Sequence, residues 1–107
     1  MNNRLEIARE FANEINSEDI LKIILFGSVA RGDDTEESDI DILIISNYES
    51  KIEPKISDEV FNIIANYNEY ISAQVMSEEV FNETKHFSFL TNVMKEGVLI
   101  GWNWRIS

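Results

Sequence analysis

The sequence contains no cysteine, which excludes disulfides, zinc–thiolate sites, iron–sulfur clusters and thiol nucleophiles together. It has one histidine, His86, so a multi-histidine metal centre is excluded as well. Basic residues are scarce. Nine Lys and Arg stand against twenty Asp and Glu, a formal charge of −11. Gripping nucleic acid by its phosphates needs clustered cations, so a nucleic-acid partner is disfavoured. Long apolar runs are missing too: the longest, residues 23–26 and 42–45, have four residues each, against about 20 for a membrane span. The N-terminus alternates charged with apolar residues and lacks the uninterrupted apolar centre of a secretory signal. These absences point to a cytoplasmic, disulfide-free protein that does not enter a membrane.

What is present is the balance of a globular protein, with 44% hydrophobic and 27% charged residues over 107 positions. That suits one core and a single domain spanning 1–107. Leu5, Ala8, Phe11, Ala12 and Ile15 predict a helix over 4–15. The branched apolar segment 20–26 reads as a buried strand ended by Gly27, and 29–38 reads as turn and loop. Strand 39–45 places Asp39, Asp41, Leu43 and Ile45 on one face and Ile40, Ile42 and Ile44 on the other.

A polar connector over 47–53 leads to Pro54, which suits the first turn of a helix. That helix carries Ile56, Val60, Ile63, Ile64 and Tyr67. Strand 70–76 follows, with Ile71, Ala73 and Val75 opposite Ser72 and Gln74. Ser77 can cap a helix whose first turn holds Glu78 and Glu79. A last helix from Phe87, with Leu90, Val93 and Met94, stops at Gly97, and 98–104 forms an edge strand or a packed tail. The order α-β-β-α-β-α predicts an α/β (α+β) fold, a small mixed β-sheet with helices packed on it.

Six of the nine residues from 33 to 41 are acidic, beside the most informative pattern in the chain. If the first two strands are neighbours, Gly27-Ser28 and Asp39-Ile40-Asp41 converge at one end of the sheet. Glycine lets backbone approach a ligand closely. The N–H groups and hydroxyl around Ser28 can hold phosphate oxygens if a helix begins at Val29. Asp-x-Asp on a strand sets two carboxylates on one face about 7 Å apart. Such hard-oxygen donors suit Mg²⁺, which shares its shell with water and substrate phosphates. Ions held there can activate a hydroxyl and stabilise a leaving pyrophosphate.

Gly27-Ser28-Val29-Ala30-Arg31-Gly32, then Ser38-Asp39-Ile40-Asp41, resembles the signature of minimal nucleotidyltransferases of the DNA polymerase beta superfamily, in which ten residues separate Gly-Ser from Asp-x-Asp. The resemblance implies a polymerase-beta-like core in which Gly27 and Ser28 hold nucleotide phosphates and Asp39 and Asp41 bind Mg²⁺. A nucleoside monophosphate, AMP from ATP, would pass to an acceptor hydroxyl. Proteins similar to this one are often antitoxins paired with a helical HEPN-domain toxin, and some transfer AMP onto that partner. The family commonly adds a third carboxylate from the next strand. Here Ser72 and Gln74 occupy the candidate positions and Glu69 lies just before them, which leaves open a contact-neutralising module with little or no transfer.

Other residues carry plainer readings. Arg31 can join the nucleotide-binding set or bridge to Asp33, Asp34 or Glu37. Asp33, Asp34, Glu36 and Glu37 read as a solvated loop, and His86 as a packed or surface histidine. Tyr67, Tyr70, Phe81, Phe87 and Phe89 read as core or core edge. Trp102 and Trp104 either pack on the sheet or dock a partner.

Overall fold

A computed structural model describes residues 2–102. Helix α1 (Arg4–Ile15) starts where the Asn3 side chain accepts from the Glu6 N–H at 3.2 Å, an N-cap that satisfies one orphan donor. Its buried face is Ile7, Ala8, Phe11, Ala12 and Ile15. Leu5, expected in that stripe, is exposed, and Arg4 is buried instead.

Strands β1 (Lys22–Phe26) and β2 (Ile40–Ile45) pair antiparallel at the centre of a four-stranded sheet, order β3-β2-β1-β4. Between them lies α2 (Gly27–Arg31), one turn of helix where a loop alone is predicted from residue 29. Helix α3 (Glu49–Tyr67) crosses over to β3 (Ile71–Met76), which runs parallel to β2. Helices α4 (Glu78–Thr84) and α5 (Ser88–Glu96) follow, and β4 (Val98–Trp102) returns antiparallel to β1 as an edge strand. The fold is thus the expected mixed sheet with helices on it, including the helix capped by Ser77, the last helix and an edge strand within 98–104, and α2 is added to it.

The centre is apolar because both faces are covered. Ile23, Leu25, Ile40, Ile42 and Ile44 pack with Phe11 of α1 and Ile56 and Ile63 of α3. Ile24, Phe26, Leu43 and Ile45 pack with Phe81, Leu90 and Val93 of α4 and α5. Ser77 caps α4 through the Val80 N–H at 3.1 Å, as predicted.

Other expectations need correction. Residues 49–53 are helical, not connector, so Pro54 sits inside α3. Proline there removes the bond to the exposed Ser50 carbonyl. Burying Ile52 and Ile56 on either side, each worth about 1.5–3 kcal/mol, offsets that loss. Tyr70, Phe87 and Phe89 are exposed, while Phe81 is core; Met94 of the last stripe is exposed as well. Trp102 stands on the sheet edge, half exposed, and Trp104 lies outside the described residues.

Candidate functional site

The site begins where β1 ends. Phe26 is the last strand residue and the N-cap of α2, and Gly27 turns the chain with φ +74°. L-residues with a side chain avoid that region. A Cβ on Gly27 would also overlap Oδ2 of Asp41, with Cγ of the same carboxylate 3.1 Å away. The backbone of the Gly-Ser turn therefore lies against the carboxylate. The register explains the approach: Phe26 pairs with Asp41 across β1–β2, and Asp41 pairs with Ser72 across β2–β3. The short helix starts at Gly27, so the first amides of the turn are free of intrahelical partners. Ser28 is half-buried beside them, and Asp39 is exposed one residue before β2.

Electrostatics set the two aspartates apart. Burial pushes the Asp41 carboxyl above its ordinary pKa, the Asp39 charge adds to this, and Arg31 opposes it. A carboxyl raised on folding is penalised when ionised, so Asp41 costs stability above its folded pKa and nothing once protonated. Asp41→Asn is therefore expected to raise the Tm at neutral pH, with the gain vanishing on acidification through the Asp41 pKa. Thermal melts across pH check this; a lower Tm for the variant at pH 7 would refute it.

The loop between these groups is held from both sides. The Gly32 N–H, at φ +82°, bonds the Ser28 carbonyl at 2.9 Å, and the Asp33 N–H bonds it at 3.0 Å. Arg31 lies on the exposed side, its Nε 3.2 Å from Asp33 and its Nη1 3.1 Å from Glu96 of α5. Of the predicted bridges Asp33 forms, and Glu96 was not foreseen. A recess of 230 Å³ opens beside Gly27, bordered by Arg31, Phe89 and Asn92.

On the buried side Arg4 reaches the loop. Its guanidinium contacts Asp34 at 3.0 Å, the carbonyls of Thr35 and Glu36, and both carboxylate oxygens of Glu69. Asp34 is thus not a solvated acid. Glu69, nine-tenths buried, is turned to Arg4 and paired at 2.5 Å. Gln74 pairs with Leu43 in register and is exposed. Among the described residues no group of three His, Cys, Asp or Glu side chains converges in a metal-holding arrangement. Sequence reasoning missed Arg4, whose only signal is a cation on the flank of an apolar stripe.

Comparison with known proteins decides the family. Residues 5–100 match the sequence model of the nucleotidyltransferase domain. The chain belongs to this nucleotidyltransferase family. The matched span runs from α1 into β4, so it includes Gly27, Ser28, Asp39 and Asp41. The nucleotidyltransferase is 44% identical over 98 residues to "Putative protein adenylyltransferase MJ0604" of Methanocaldococcus jannaschii, covering 89% of this chain and 95% of that one. A second protein of that organism, "Putative protein adenylyltransferase MJ0141", is 32% identical over 97 residues, covering 88% and 95%.

Among solved structures, the fold superposes with a TM-score of 0.53 on "a putative nucleotidyltransferase from Sulfolobus solfataricus". That chain is 26% identical, with 89% of this nucleotidyltransferase and 77% of that chain covered. A chain of a toxin–antitoxin structure with AMP-PNP gives a TM-score of 0.56 at 15% identity, covering 99% and 77%, which bears on the fold alone. No helix among the described residues is long and apolar enough to cross a membrane.

Proposed function

We propose that this single 107-residue domain transfers AMP from ATP to a hydroxyl of a helical partner protein, with Asp39 and Asp41 as the metal-holding pair and an antitoxin role beside a HEPN-domain toxin. The observation that carries the reading is the contact between the Gly27 backbone and the Asp41 carboxylate. It brings the Gly-Ser amides, which can hold phosphate oxygens, against a carboxylate that can hold a cation, an approach that any side chain on Gly27 would block. The donor chemistry fits Mg²⁺: two hard carboxylates, one of them desolvated and repelled by the other, leave most of the coordination shell to water and phosphate. Bound there, Mg²⁺ supplies Lewis-acid polarisation of the phosphate and charge for the leaving pyrophosphate.

The chain's own groups do the rest. Ser28 and the amides beside it orient phosphate oxygens, and the recess bordered by Phe89 and Asn92 gives the nucleoside a wall to rest on. Arg31, already shared between Asp33 and Glu96, offers its charge at the rim.

The names of the Methanocaldococcus relatives support protein as the acceptor class and AMP as the group transferred. The test is the purified chain with the product of its neighbouring gene, Mg²⁺ and each NTP in turn, followed by intact mass of both chains. An AMP adduct on the partner, absent with Asp39→Ala, is the expected result.

One observation favours a second reading. The positions opposite Asp41 and Leu43 on β3 are the neutral Ser72 and Gln74, and Glu69 is held by Arg4. Neither Ser72 nor Gln74 serves as a general base at neutral pH. In this second reading the domain neutralises its partner by contact. A stable complex without adduct under any nucleotide would favour it over transfer, as would neutralisation retained by an Asp39/Asp41 double alanine variant.

A further inference from the structure

Arg4 opens α1 yet only 3% of its side chain is exposed, and arginine is buried only when its donors are matched. Here five acceptors meet it: both Glu69 oxygens, Asp34 Oδ2, and the carbonyls of Thr35 and Glu36. Guanidinium has five N–H groups in a fixed fork, so its donor capacity is taken up. Two of the acceptors are consecutive backbone carbonyls in the acidic stretch that delivers Asp39. The same segment closes on itself, since the Ser38 N–H donates to the Thr35 carbonyl at 3.0 Å and the Thr35 N–H to Ser38 Oγ at 3.0 Å. One carbonyl, that of Thr35, therefore links the buried cation to the residue preceding Asp39. On the other side Glu69 fixes the guanidinium to the segment entering β3, where the Tyr70 carbonyl accepts from the Ile40 N–H at 2.9 Å.

We propose that Arg4 is a positioning residue for Asp39: through the Thr35 and Glu36 carbonyls and the 35–38 turn it holds the exposed aspartate beside Asp41 and so sets the affinity of the pair for a divalent cation. Asp39 lies outside the strand ladder, and among the described residues no other buried side chain grips its loop by two backbone groups. Left to itself, a loop carrying Asp33, Asp34, Glu36 and Glu37 would spread by self-repulsion. The proposal rests on the reading of Asp39 and Asp41 as the metal-holding pair.

The test is Mn²⁺ binding by the full chain with ATP, followed by the paramagnetic resonance of free Mn²⁺, with hydrogen exchange of residues 33–39 measured without metal. Arg4→Lys keeps a charge beside Glu69 but cannot fork onto both carbonyls. It should hold Mn²⁺ about 10–100-fold more weakly, the usual cost of removing a partner that orients a metal ligand, and exchange faster over 33–39. Glu69→Gln weakens the other anchor and leaves the carbonyl contacts, so the Tm should fall with Mn²⁺ affinity unchanged. Weakening that merely follows the fall in Tm across both variants would overturn the proposal. Should Arg4→Lys not fold, Ser38→Ala opens the turn without touching the core: weaker Mn²⁺ at an unchanged Tm supports the proposal, and unchanged affinity overturns it. A wild-type chain that holds no Mn²⁺, or an Asp39→Ala variant that holds it equally, overturns the metal-site reading and this proposal together. Loss with Asp39→Ala but not with Arg4→Lys or Ser38→Ala overturns the positioning role alone.

Discussion

Gly27→Ala is expected to cut nucleotide transfer about 100-fold, the scale of a misplacement near 1 Å at a reacting centre, while the protein still folds. The added methyl meets two obstacles. The backbone at φ +74° resists a side chain by about 1–2 kcal/mol, a loss most domains survive. The methyl would also overlap the Asp41 carboxylate, and the easiest relief is rotation of that side chain away from the turn. Rotation leaves the Ile40 and Ile42 face of the sheet untouched, but it moves the carboxylate away from the turn and from its place beside Asp39. Stability and transfer should therefore respond very unequally. Transfer assays beside thermal melts decide the matter. An alanine variant that transfers AMP at the wild-type rate would show that the close approach has no functional weight.

The second large effect is on stability. Arg4→Met should cost about 3–5 kcal/mol, as breaking a buried ion pair from one side does. Methionine fills much of the volume but leaves Glu69, nine-tenths buried, without its cation, and frees the Thr35 and Glu36 carbonyls from theirs. Because the arginine carries two carboxylates, its removal also leaves like charges facing each other. Against a total of about 5–15 kcal/mol, such a loss brings the chain near its threshold. Denaturant unfolding measures it, and a loss below about 1 kcal/mol would place the pair with weak surface bridges instead.

How far the sequence foretold this depends on the range of the forces involved. Helix 4–15 was legible because its apolar stripe is a local pattern, contained within about three turns. The central strands were legible because burial on two faces demands continuous apolar residues. The start of α3 was not: Pro54 reads as a first-turn residue, and only packing of Ile52 shows that the helix has already begun. One turn of α2 is too short to display a period. The candidate site follows the same rule. The spacing of Gly27, Ser28, Asp39 and Asp41 singled those residues out, whereas the register that sets Phe26 opposite Asp41 is a tertiary fact. Arg4 finds its partners 30 to 65 positions away, beyond the reach of any local pattern. Glu69, the carboxylate just before β3, is taken up by Arg4, a partner 65 positions away.

The two arginine pairs flanking the loop share a feature with a kinetic meaning. Arg4 and Glu69 are 65 residues apart in sequence, and so are Arg31 and Glu96. The antiparallel β1–β2 pair, by contrast, closes over a short span, and contacts of low sequence separation form first because less loop entropy is lost in making them. The hairpin that bears both aspartates can thus assemble early, but the clasps on either side of its loop must wait for β3 and for the last helix to arrive. A nascent or partly folded chain would carry the aspartates before either ion pair has closed around their loop.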